Sequence, residues 1–175
     1  MAVREILLLG NPTLRTKCEK VRSFPDAGIA ETIRDLRDTL EDFRNRHRFG
    51  RGIAAPQIGT AKRIVFIHID RPVTLINPEI VKRSRSTMEL WDDCFSFPDI
   101  LVKVKRSVKV IVRFQDEDGK KREMMGEGGL SELLQHEIDH LDGVLAIDRA
   151  VDSRHIVLRS EWKKLVGTTR NIHAM

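Results

Sequence analysis

The chain has 175 residues, of which 41% are hydrophobic and 33% charged, with a net charge of +5. That length suits one domain with one core, expected here to span residues 1–175. No run approaches the roughly 20 apolar residues of a membrane-spanning helix. The apolar stretch Ile6–Leu9 is also shorter than the roughly 7–15 residues of a secretory signal, so a cytoplasmic location and no membrane partner are expected. A basic surface attracts RNA-rich or anionic partners. Aromatics, however, are only 5% and Tyr is absent, which argues against a base-stacking platform and against specific DNA binding. Two cysteines, Cys18 and Cys94, make no disulfide framework.

In chain order, residues 1–24 read as extended and turn segments, broken at Gly10-Asn11-Pro12. Asp26 is a candidate N-cap for a long helix over 27–47, whose Ile29, Ile33, Leu36, Leu40 and Phe43 form one apolar stripe. A Gly-rich loop covers Gly50 to Gly59. Residues 63–69 and 73–81 read as strands, and residues 84–98 as a short strand plus an irregular loop holding Cys94 and Pro98. Val108, Val110, Val112 and Phe114 alternate as in a half-buried strand, and Asp118-Gly119 turns it back through 120–125. A second helix is expected over about 129–142. A third is expected from Asp152-Ser153 to Val166, with Leu158, Trp162 and Leu165 on one side. Hairpin-linked strands with segregated helices predict an α+β fold: antiparallel sheets packed around a central metal-binding helix, a long helix in the N-terminal half and a C-terminal helix.

The segment Gln135-His136-Glu137-Ile138-Asp139-His140 carries the chemistry. Residues four apart share a helix face, so His136 and His140 can present two imidazoles to one ion. Glu137 borders that face and is suited to act as a base on an activated water. Leu130, Leu134, Ile138 and Leu141 lie opposite. A catalytic metal usually has three protein ligands. Cys94, another His or a downstream carboxylate could be the third, and the loop setting favours Cys94 as a functional thiolate. Cys18 reads as a small buried residue.

These residues resemble the peptide deformylase family. Gly50-Arg51-Gly52-Ile53-Ala54-Ala55-Pro56-Gln57 fits the family pattern GxG(I/L)AAxQ, and Gln135 through Gly143 fits QHExDHLxG. The middle motif departs: where the family reads EGCLS, this chain has Asp92-Asp93-Cys94-Phe95-Ser96. The carboxylate of Asp93 is expected to crowd a strand-like binding edge or alter its charge.

The resemblance implies a metal-dependent hydrolase that removes the N-terminal formyl group from formyl-methionyl nascent polypeptides. The alternative is a deformylase-like protein with an altered amide substrate or a non-catalytic metal- or ribosome-binding role. It implies Cys94, His136 and His140 as metal ligands and Glu137 as proton carrier, with the Gln57 amide and the Phe95 backbone N–H on the oxyanion. Gly52, Ile53 and Asp93 would pair with an extended peptide through their backbones, and Leu133 would wall in the methionine side chain. Fe2+ is the metal the family implies, with Zn2+, Ni2+ or Co2+ as substitutes. The basic C-terminal helix could make a transient ribosome contact.

Overall fold

The computed structural model describes residues 2–24 and 26–166. After a short 3-10 turn at Pro12–Arg15 comes helix α1, Ala27–His47. Strands β1 (Gly52–Ala54), β2 (Ile64–His68), β3 (Pro72–Arg83) and β4 (Thr87–Asp93) follow. Next are β5 (Ile100–Ser107), β6 (Lys109–Gln115), β7 (Lys121–Glu127) and helix α2 (Gly129–Leu141). A three-residue strand, β8 (Ile156–Leu158), leads into α3 (Arg159–Val166).

Asp26 starts α1 as expected: its carboxylate accepts the Ile29 amide proton, satisfying one of the N–H groups a helix start leaves orphaned. Arg44, Arg46 and His47 occupy the last turn, where positive charge complements the helix dipole. Arg48, at φ 65°, then leaves the helix in the left-handed conformation.

Five antiparallel strands form one sheet in the order β1-β2-β3-β6-β7. β2 shows how both faces are used. Ile64 and Phe66 pack with Ile33, Leu36, Leu40 and Phe43 of α1. Val65 and Ile67 point the other way and pack with Leu133, Leu134, Ile138 and Leu141 of α2. A strand covered on both faces reads as an unbroken apolar run, which is why IVFIH lacks alternation. Each such side chain contributes roughly 1.5–3 kcal/mol on burial. The second sheet, β4-β5-β8, packs Val102 and Val104 against Leu14, Phe97 and Leu145.

Helix α2 is therefore covered on every side, and every residue from Ser131 to Leu141 is buried. β7 approaches it closely at Gly126, where an added Cβ would lie 2.8 Å from Leu134 Cδ1 and 3.1 Å from the Ser131 backbone N. Only glycine permits that approach.

The expected fold class holds: antiparallel sheets enclose a central helix, with a long early helix and a C-terminal one. Three details differ. Residues 100–107 form strand β5, to which no element was assigned, because Lys103, Lys105 and Arg106 disguise it as a polar connector. β1 lies inside the expected Gly-rich loop, paired with Val65–Ile67 of β2. The C-terminal helix begins at Arg159 rather than near Asp152. Asp152 caps a 3-10 turn instead, and Ile156–Leu158 pair with Ile100–Val102, so sheet pairing overrides the helical pattern. Leu158 is thus a strand residue, and the side chain of Leu165 lies outside the described residues. No helix among the described residues is long and apolar enough to cross a membrane.

Candidate metal centre

Helix α2 brings His136 and His140 onto one face, one turn apart, with their Nε2 atoms 3.1 Å from each other. The turn after β4 delivers Cys94, whose Sγ lies 3.3 Å from His140 Nε2. These three donor atoms lie within 4.8 Å of one another, and all three residues are buried. A tetrahedral ion with metal–N bonds of about 2.0–2.1 Å and metal–S of about 2.3 Å would space its donors by about 3.3–3.6 Å. The donor set therefore fits a borderline or soft divalent metal in type, with its donors a few tenths of an ångström closer than such an ion would hold them.

The surroundings favour positive charge here. Asp92 accepts from His136 Nδ1 at 2.9 Å, which turns His136 Nε2 toward His140. Burial works against charge on His136, yet the neighbouring Asp92 carboxylate outweighs it and raises that imidazole well above its ordinary value. Burial and the adjacent positive charge of His136 push His140 well below its own, which keeps it a neutral donor. Burial also pushes the Cys94 thiol up, so a cation is needed to hold the thiolate form.

A second cluster, Asp92, Glu132 and His136, shares His136 with the first. Its carboxylates are already engaged, Asp92 with Arg106 at 3.3 Å and Glu132 with Arg51.

Glu137 follows His136 on α2 and is 3% exposed. Its Oε2 is buried without a hydrogen-bond partner, which is costly unless a ligand supplies one. Burial raises its carboxyl to about 7. Gly52 makes room for it: an added Cβ there would sit 2.7 Å from Glu137 Oε1.

Gln57 lies in the 3-10 turn after β1. Its Oε1 accepts the Ala54 amide at 2.9 Å, which turns Nε2 toward Ser96 Oγ at 3.3 Å and Cys94 Sγ at 3.6 Å. Phe95 follows Cys94, and its ring stacks on Phe43 at 3.8 Å between centroids. Gly52, Gln57, Asp93, Phe95, Leu133 and Glu137 all line one cavity beside the donor cluster. Ile53 is fully buried in β1, which among the described residues is an edge strand with β2 as its one neighbour in the sheet. The Asp93 carboxylate is held by Arg159 at 2.8 Å, so the charge expected to disturb this edge is matched by a cation.

Sequence reading missed the support beneath the candidate ligands. Arg106 is 4% exposed and pairs with both Asp92 and Asp139, and Arg149 also holds Asp139 at 2.9 Å. The signal was available in the alternation of β5, where Arg106 shares a face with the buried Val102 and Val104. Glu132 and Asp139, seven apart on α2, carried the complementary signal, since buried carboxylates require cations.

An α+β frame that gathers two imidazoles, a thiol and an unpaired carboxylate around one buried cavity defines a metal-dependent hydrolase. The polypeptide deformylase family model matches residues 3–155. A peptide deformylase of Dictyoglomus thermophilum is 40% identical over 92% of this chain and 99% of its own. The crystal structure of the Thermotoga maritima peptide deformylase superposes with a TM-score of 0.79 at 35% identity, covering 87% of this chain and 100% of that one. The Met-Ala-Ser-bound Acinetobacter baumannii enzyme matches at a TM-score of 0.77 and 26% identity, covering 85% and 98%. The chain belongs to the polypeptide deformylase family, whose members are metal-dependent enzymes that remove N-terminal formyl groups.

Proposed function

We propose that residues 1–175 form one catalytic domain that deformylates formyl-methionyl nascent polypeptides in the cytoplasm, with Cys94, His136 and His140 holding Fe2+. Zn2+, Ni2+ or Co2+ would suit the same donors. The observation that carries this reading is the unpartnered Glu137 carboxylate buried beside the three donor atoms. When bound, the metal supplies Lewis acidity that brings a water's pKa toward neutrality.

The protein's own groups do the rest. Glu137 Oε2 takes the proton of the attacking water and passes it to the departing amine nitrogen. Gln57 Nε2, aimed by the Ala54 contact, and the Phe95 N–H stabilise the charge that develops on the formyl oxygen. The open edge of β1 at Gly52 and Ile53, with the Asp93 backbone at the end of β4, receives the peptide as an added strand. Leu133 contributes to the wall around the first side chain. A peptide-bound relative agrees with such a substrate. The basic residues Arg154, Lys163 and Lys164 near the C-terminal helix would allow a transient ribosome contact.

The test is anaerobic hydrolysis of formyl-Met-Ala by iron- or nickel-loaded protein beside its Glu137→Ala variant. Turnover lost in the variant with metal retained supports the reading, and no turnover by metal-loaded wild-type protein overturns it. The iron form should lose activity in air faster than the nickel form, because a ferrous thiolate site is open to oxidation.

A further inference from the structure

The mechanism leaves two charged groups at the cavity unused. Arg51 and Glu132 both line it, and they are ion-paired with each other. Arg51 also donates to the Gly129 carbonyl at 3.0 Å. The Arg51 side chain is 24% exposed and that of Glu132 only 4%, so the pair closes over a buried carboxylate. Glu132 lies one helical turn before His136 and adjoins Leu133, the residue expected to wall in the first side chain of the substrate. The cavity measures about 30 Å³, which holds about two waters. A first side chain with four heavy atoms more than fills that space, and the wall it meets includes Arg51 and Glu132.

An apolar side chain in that position strips water from the guanidinium and gives nothing back, which is unfavourable for a partly buried charge. A side chain of the same length ending in an amide can accept a proton from Arg51. The guanidinium has five N–H donors, and among the described residues it bonds to Gly129 and Glu132. A further full charge fits less well, because it would lack a match out of water.

We infer that the Arg51–Glu132 pair sets the first-side-chain selectivity of this enzyme, admitting neutral hydrogen-bonding side chains such as glutamine at least as well as the thioether of methionine. This rests on the deformylase reading above. The pair acts by contact with the substrate side chain and takes no part in the proton transfers of Glu137.

The test compares formyl-Gln-Ala with formyl-Met-Ala, whose first side chains have similar length and differ in polarity. Metal-loaded wild-type protein should show a kcat/KM for the Gln peptide equal to or above that for the Met peptide. In the double variant Arg51→Ile with Glu132→Leu, which removes both charges together, the Gln/Met ratio should fall by about 100-fold, the scale on which an apolar pocket discriminates against an added polar group. A wild-type preference for the Met peptide, or an unchanged ratio in the double variant, overturns the inference. Affinities of both peptides for the metal-loaded Glu137→Gln protein read the pocket without turnover. Tighter Met binding there overturns the inference even if every hydrolysis assay is silent, whereas silent hydrolysis with tighter Gln binding overturns only the deformylase reading. Should the double variant fail to fold, the wild-type and Glu137→Gln comparisons decide alone.

Discussion

Asp92 holds His136 Nδ1 at 2.9 Å while its Oδ2 also meets Arg106 at 3.3 Å. The carboxylate thus sits between a candidate ligand and a buried cation. Burial opposes its ionisation, but His136 and Arg106 outweigh that and lower it to about 2. Replacing Asp92 by Asn keeps the shape and removes the charge that orients and enriches the imidazole. Metal affinity should fall about 10–100-fold, as is usual when the partner of a ligating His is lost. Metal content after dialysis against a graded chelator measures it, and unchanged retention would remove Asp92 from the metal site.

Glu137→Gln conserves volume and removes the carboxylate proposed as the base. With metal retained, kcat should fall by about 10²–10⁴-fold, the usual weight of a positioned acid–base group. Metal analysis beside steady-state kinetics separates this from ligand loss. A variant within tenfold of wild type would assign the proton transfers elsewhere.

Gln57→Ala removes the amide that Ala54 aims toward Cys94 and Ser96. Loss of one oxyanion donor costs about 10²–10³-fold in kcat. KM should change little, because the contact matters as negative charge develops. A change confined to KM would make Gln57 a binding residue only.

Arg106→Met should be costly for folding. It leaves Asp92 and Asp139 buried, with Arg149 on Asp139 as the remaining guanidinium of that group. Breaking a buried ion network from one side typically destabilises by about 3–5 kcal/mol. Urea unfolding of the metal-free protein measures it without interference from metal binding. A loss below about 1 kcal/mol would show that water reaches the network.

Cys18 gives a pH prediction away from the metal. Burial raises its thiol to about 11, with Arg63 opposing and Asp142 assisting. Folded protein should therefore react with iodoacetamide at Cys18 about 100-fold more slowly at pH 8 than an ordinary thiol does. The folded chain keeps this proton where the unfolded chain has lost it, so the contribution is present below about pH 9 and fades as pH rises toward about 11. A rate like that of a free thiol would place Cys18 at the surface.

Local patterns wrote much of this protein into its sequence. The spacing of His136, Glu137 and His140 fixes two imidazoles and a carboxylate on neighbouring parts of one helix, because helical geometry repeats every 3.6 residues. The stripe from Ile33 to Phe43 and its Asp26 cap are equally local, and α1 lies where they predict. Tertiary structure decided what depends on distant partners. The strand character of Ile100–Ser107 emerges only when β4 and β8 flank it, since its alternate lysines face outward and hide the pattern. Ile156–Leu158 became a strand for the same reason. Sequence order could not show that Arg51 would meet Glu132, that Arg106 would bind Asp92 and Asp139, or that Arg159 would hold Asp93. Those pairings join residues 14 to 81 positions apart. They arise because the fold buries charges that must then find one another, and no local periodicity encodes which cation each carboxylate will meet.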